Sequence, residues 1–130
     1  MAERNWQFET SDASQALVER HSYVQFLRAT CTTDSDYDAA IMVFSELVGN
    51  VIRHAHGPVQ ISVQHSDLGT VTLRVADTGA PFAFAPSLPP IGDEGGRGLY
   101  IVSELCSDIS VTRSEHGNIM RVRLPVNPKP

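Results

Sequence analysis

The sequence predicts an α/β two-layer sandwich: a mixed, mostly antiparallel sheet of about five strands, with about three helices on one face. Two observations carry the prediction. Several stretches place an apolar residue at every second position, which is the mark of strands with one buried and one wetted face. Others space apolar residues at three and four, as helices do. The length of 130 residues with 42% hydrophobic side chains suits one domain with one core, here taken as 1–125 followed by a tail over 126–130.

The elements follow in order. Asn5 to Thr10 (NWQFET) alternates Trp6 and Phe8 with polar neighbours and reads as a half-buried strand. Ser11 or Asp12 then caps a helix over Ala13 to Ala29, with Leu17, Val18, Val24, Phe26 and Leu27 at mostly helical intervals. CTTDSD interrupts it, and Asp36 to His54 forms the strongest helical pattern in the chain, closed by Gly57-Pro58. Val59 to Gln64 and Thr70 to Val75 alternate on either side of HSDLG, so they are expected to pair as a hairpin. Between Asp77 and Gly95 four prolines and three glycines leave no periodicity, and a loop of that length in a compact domain is usually functional. Gly98 to Cys106 reads as a short apolar helix. Ile109 to Arg113 and Asn118 to Leu124 make a second hairpin across Glu115-His116-Gly117.

Charge and cysteine usage narrow the function. Ten basic residues against fifteen acidic ones give a net charge of −5, and Arg113, Arg121 and Arg123 are the nearest approach to a basic cluster. Nucleic acid is therefore not an expected partner. No apolar run reaches the roughly 18 residues of a membrane span, and MAERNWQFET has no basic stretch leading into an apolar one. A cytoplasmic protein without membrane association is expected, and Cys31 and Cys106 are expected to be buried thiols, not a bridge.

Three motifs carry chemistry. On the Asp36–His54 helix, Ile41, Phe44, Leu47, Val48, Val51, Ile52 and Ala55 share one arc, while Glu46, Asn50 and Arg53 gather opposite, with Met42 and Val43 toward the same side. A solvated face is the simplest reading. Gly49 weakens it, because glycine costs about 1 kcal/mol in a helix interior unless something approaches the backbone. The second motif is the strand-ending Asp77-Thr78-Gly79. It fits an ordinary turn, but equally a carboxylate accepting from an exocyclic amino group in a cleft. The third is EGGRGLYIV, where Gly95, Gly96 and Gly98 precede an apolar helix. Unpaired amides and the helix dipole make such a place attractive to anions. It is neither a P-loop, since no lysine precedes Lys129, nor a dinucleotide fingerprint, since it follows a long loop.

Taken together, ELVGN, DTGAPF and GGRGL resemble the N, G1 and G2 boxes of the ATP-binding domain shared by gyrase, heat-shock chaperone, mismatch-repair and histidine-kinase families. More narrowly, ELVGNVIRHAHG, VADTGAPF and GGRGLYIVSEL look like the bacterial anti-sigma factor serine kinases over about residues 10 to 125. The resemblance implies a histidine kinase-like ATPase fold with ATP and Mg²⁺ between the helix layer and a lid. It implies that Asn50 holds the Mg²⁺ and that Glu46 is general base on a substrate serine hydroxyl. Asp77 takes the adenine amino group, with Gly79 letting the base lie close. Gly95, Gly96, Gly98 and Leu99 surround the phosphates, and Arg97 with the loop from Phe82 to Gly95 forms the lid. His54 matches a position often histidine in the group, where packing is its expected role.

The implied partners are a small anti-sigma factor antagonist of the STAS-domain type, phosphorylated on serine, and a sigma factor or other effector. A homodimer through the first helix is also expected. Ala80-Pro81 departs from the DxGxG of the wider superfamily in a way frequent among the anti-sigma kinases. With no phosphoacceptor-histidine domain ahead of the ATP domain, a sensor histidine kinase is not expected. The alternative function is an ATP-binding switch that sequesters a non-sigma partner with little or no kinase activity.

Overall fold

A computed structural model describes residues 2–79 and 97–130. Five strands, β1 (Glu3–Glu9), β2 (Pro58–His65), β3 (Val71–Asp77), β4 (Ser107–Ser114) and β5 (Gly117–Arg123), form one sheet in the order β1-β2-β3-β5-β4. Among the described residues all four pairings are antiparallel, where the sequence predicts a mixed, mostly antiparallel sheet. Three helices, α1 (Ala13–Thr30), α2 (Tyr37–His54) and α3 (Arg97–Leu105), make the second layer.

Alternation decides which face of the sheet is covered. Val59, Ile61 and Val63 of β2, Val71, Leu73 and Val75 of β3, and Met120 and Val122 of β5 are all buried on the helix side. A shift of one residue in any register would turn these side chains to water, so the apolar pattern fixes the pairing. Asp12 and Asp36 start the two long helices, each accepting from the amide three residues on, Gln15 N at 3.3 Å and Ala39 N at 3.1 Å.

The first helix is rotated from the expected arrangement. Glu19, Tyr23 and Leu27 are its buried residues, whereas Leu17 and Val18 are 63% and 59% exposed. Tyr23 sets the rotation. Its hydroxyl donates to the Ala40 carbonyl of α2 at 2.8 Å, and its ring stacks on Phe44 with centroids 4.5 Å apart. Burial pushes the phenol pKa well up, which keeps that donor protonated. On α2, Val43 is fully buried while Met42 is exposed, so Val43 belongs to the core and not to the polar side.

The chain end is docked. Thr32 N donates to Asn127 O at 2.7 Å, Lys129 N to Thr30 O at 2.9 Å and Asn127 N to Ser35 Oγ at 2.8 Å, laying the last residues across the α1–α2 connection.

Candidate functional site

Helix α2 runs past both ends of the site. At its C-terminal end, the Ala55 cap abuts the turn after β3: a side-chain carbon on Gly79 would stand 2.9 Å from Ala55 Cβ and 3.2 Å from Ala55 Cα. Thr78 Oγ1 donates to His56 O at 3.1 Å and fastens the same turn to the chain leaving α2. Position 79 is therefore glycine because two backbones meet there.

Asp77 ends β3 facing the helices and is 8% exposed. Its Oδ1 accepts from Gly79 N at 2.7 Å and from Asn118 Nδ2 at 3.1 Å. Among the described residues both of its side-chain hydrogen bonds fall on Oδ1, which leaves Oδ2 able to accept another. A buried carboxylate with one oxygen secured and the other open suits recognition of an amino group.

The other end lies two and a half turns back along α2. Glu46 Oε2 occupies the space that a side chain on Gly98 of α3 would fill, so the two helices meet at a carboxylate and a bare backbone. No described residue gives the half-buried Glu46 carboxylate a hydrogen bond or ion pair. Asn50, one turn further on and also half-buried, has none either.

The spacing sets the dimensions. From Glu46 to Ala55 is nine residues of rise, about 13 Å, with Asn50 between. Asp77 and Gly79 stand at one end of that span, and Glu46 and Gly98 at the other. Glycines keep the backbone bare at both ends of that span, where added side chains would meet Ala55 and Glu46. Among the described residues no three His, Cys, Asp or Glu side chains group as a metal site.

The remaining expected residues divide. Arg97 opens α3, though its side chain, like Gly95, Gly96 and the loop from 80 to 96, lies outside the described residues. Leu99 is buried in the core at 8% exposure, so it has only its first-turn amide to offer a ligand. His54, the last residue of α2, is exposed, against the expected packing role. At Gly49 the nearest described atom to an added side chain is Arg53 Nη1 at an ordinary 3.6 Å, so no close approach explains that glycine among the described residues. Cys31 and Cys106 are free thiols whose pKa values burial raises, that of Cys106 to about 11.

Two site residues escaped the motif reading. Asn118, 2% exposed, pairs with Asp77 across β3 and β5, and its Nδ2 also lies 3.4 Å from Gly79 O. Its signal was the alternation Asn118, Met120, Val122, Leu124, which puts an amide on the apolar face. The second is Gly117, at φ +127°, where a side chain would overlap the Asp77 carbonyl.

A profile described as the histidine kinase-like ATPase domain matches residues 10–124. Among solved structures, that of the Acinetobacter baumannii histidine kinase AdeS superposes with a TM-score of 0.53 at 15% identity, covering 96% of this chain and 68% of that one. No curated protein matches the sequence. No helix among the described residues is long and apolar enough to cross a membrane.

Proposed function

The chain belongs to the histidine kinase-like ATPase family, and from that premise we propose that it is an ATP-dependent protein serine kinase and anti-sigma factor of partner-switching regulation. The observation that carries the reading is α2 itself, which presents Glu46 to Gly98 at one end and Ala55 to Gly79 at the other, with Asn50 between.

Asp77 accepts from the adenine amino group, and Asn118 holds its Oδ1 so that the carboxylate does not turn away. Asn50 would hold Mg²⁺ through its carboxamide oxygen. Bound Mg²⁺–ATP supplies the phosphoryl group to be transferred. Glu46 orients the substrate serine hydroxyl and accepts its proton. Its worth lies in placement. The amides of the first turn of α3 face the phosphate end, where the helix dipole favours negative charge. Phosphoryl transfer needs mainly positioning and charge neutralisation, which a fold this small can provide.

The partners follow the same resemblance: a small STAS-type antagonist as substrate and a sigma factor or other effector as the sequestered protein. Leu17 and Val18, exposed on α1, support self-association through that helix.

Labelled ATP and a small antagonist protein test the proposal. Serine labelling by the native chain, lost in Glu46→Gln with nucleotide affinity retained, is the expected result. Tight ATP binding with no label on any antagonist would instead identify an ATP-driven switch without kinase activity.

A further inference from the structure

The face of the sheet turned away from the helices carries a charge pattern that the nucleotide site does not use. Registers across the sheet place Asn5, Ser62, Arg74, Arg121 and Ser110 in one row. Arg123 follows two residues beyond Arg121, on the same face of β5. Arg74 and Arg121, far apart in sequence, are thus brought together at the centre of the sheet. In a chain with fifteen acidic residues and a net charge of −5, the outward positions of β2, β3 and β5 between Gln60 and Gln64, Thr72 and Ala76, and Ile119 and Arg123 hold three arginines and no carboxylate.

Arg74 and Arg121 are direct cross-strand partners, both half-buried. Like charges directly opposite each other destabilise a strand pair. No described residue gives either guanidinium a hydrogen bond or an ion pair. Arg123 has Asp108 at 3.6 Å, with both side chains largely exposed. Two hollows flank Arg74. One of about 200 Å³ is lined in part by Gln60, Arg74, Ser114 and His116, and one of about 340 Å³ by Asn5, Gln7, Gln60, Ser62 and Arg74.

The geometry points to this open face as a docking surface for an acidic protein segment, extended and bearing carboxylates at alternate residues. Charge complementarity identifies the occupant. Arg121 and Arg123 stand about 6.8 Å apart along β5, the repeat of alternate residues in an extended chain, and Arg74 lies about 5 Å across the sheet. Guanidinium forks favour carboxylates in such bidentate contacts. The amides of Gln60, Gln64, Asn5 and Gln7 can both donate to and accept from a peptide backbone. Nucleic acid fits less well, since no aromatic side chain stands among the outward positions to stack a base. The overall negative charge does not forbid an acidic partner, because beyond about 10 Å it is screened at 0.1 M salt. The arginine row opens on the face of the sheet away from α2, while the smaller hollow beside it is also lined by Asp77, Thr78 and Asn118 and so adjoins one end of the nucleotide site.

A fluorescent decapeptide of alternating Glu and Ser, titrated into the full chain by anisotropy, tests the inference. Binding is expected to weaken about tenfold in Arg74→Gln/Arg121→Gln, as two charge-assisted contacts are lost. The charge-matched Arg20→Gln/Arg28→Gln, altered only in the helix layer, is expected to bind as the native chain does. Amide shifts in the native protein on adding peptide should concentrate in β3 and β5, a readout that needs no variant to fold. The inference is overturned by absence of peptide binding, by equal losses in the two double variants, by shifts confined to the helices, or by tighter binding of an oligodeoxythymidine of equal charge.

Discussion

Asn118 donates its side-chain amide to Asp77 Oδ1 at 3.1 Å, joining two buried polar residues 41 positions apart across the β3–β5 pair. The amide holds one carboxylate oxygen, and in the proposed function the other accepts from the nucleotide. Asn118→Ala is therefore expected to affect stability and nucleotide recognition together. It should cost about 1–3 kcal/mol of folding free energy, since Asp77 loses a buried donor. Thermal melting reads the first loss and ATP titration the second; a variant altered in neither would show the pair to be idle.

At Gly98 the obstacle to a side chain is the flexible end of Glu46. Gly98→Ala should therefore displace the carboxylate without unfolding the protein. The melting temperature is expected to stay the same or rise slightly, because alanine gains up to about 1 kcal/mol in a helix. Serine phosphorylation should fall about tenfold to a hundredfold, since a catalytic group misplaced by about 1 Å can cost about a hundredfold. Melting curves and initial rates on the same preparation check both parts.

The glycines should rank by what a side chain would meet. Gly117→Ala combines positive φ with a collision on the Asp77 carbonyl and should be the most damaging, by more than about 3 kcal/mol. Gly79→Ala, pressed on the Ala55 backbone, should cost about 1–3 kcal/mol. Gly69, at φ +81° with open space around it, should cost about 1 kcal/mol from strain alone. Gly49→Ala should stabilise by up to about 1 kcal/mol. Denaturant midpoints for the four variants establish the order.

Stability should also depend on His65. Thr30 Oγ1 donates to Phe26 O at 2.9 Å, so at 3.1 Å from His65 Nε2 it is the acceptor and the neutral ring carries its proton on Nε2. Burial, joined by the nearby chain N-terminus, lowers the pKa of His65 below 6.5. The unfolded chain thus takes up a proton first. Its contribution is fully present above pH about 6.5 and is lost as pH falls through the depressed folded-state value. Melting temperature against pH should drop over that window, and His65→Gln should flatten the drop.

Where the sequence was legible, one physical pattern dominated. The strands β2, β3 and β5 were readable because strict alternation admits one register, and α2 because its apolar stripe is broad. The helix α1 was not: apolar residues lie all around it, so its rotation is decided by the Tyr23 contacts with α2. Glu46, Asn50, Asp77 and Gly98 announced themselves in short, unusual stretches. Asn118 against Asp77 and Arg74 against Arg121 did not, because each pair exists only through the β3–β5 register.

The central claim is that one face of α2 lines a groove for ATP between Asp77 and Gly98. Calorimetric titration of ATP with Mg²⁺ into the native chain and into Asp77→Asn tests it most directly. The account predicts saturable, Mg²⁺-dependent binding that the substitution weakens by about 2 kcal/mol or more, as a buried polar group of the ligand goes unpaired. A folded native protein that takes up no ATP, or binds it equally well without the Asp77 carboxylate, would contradict it.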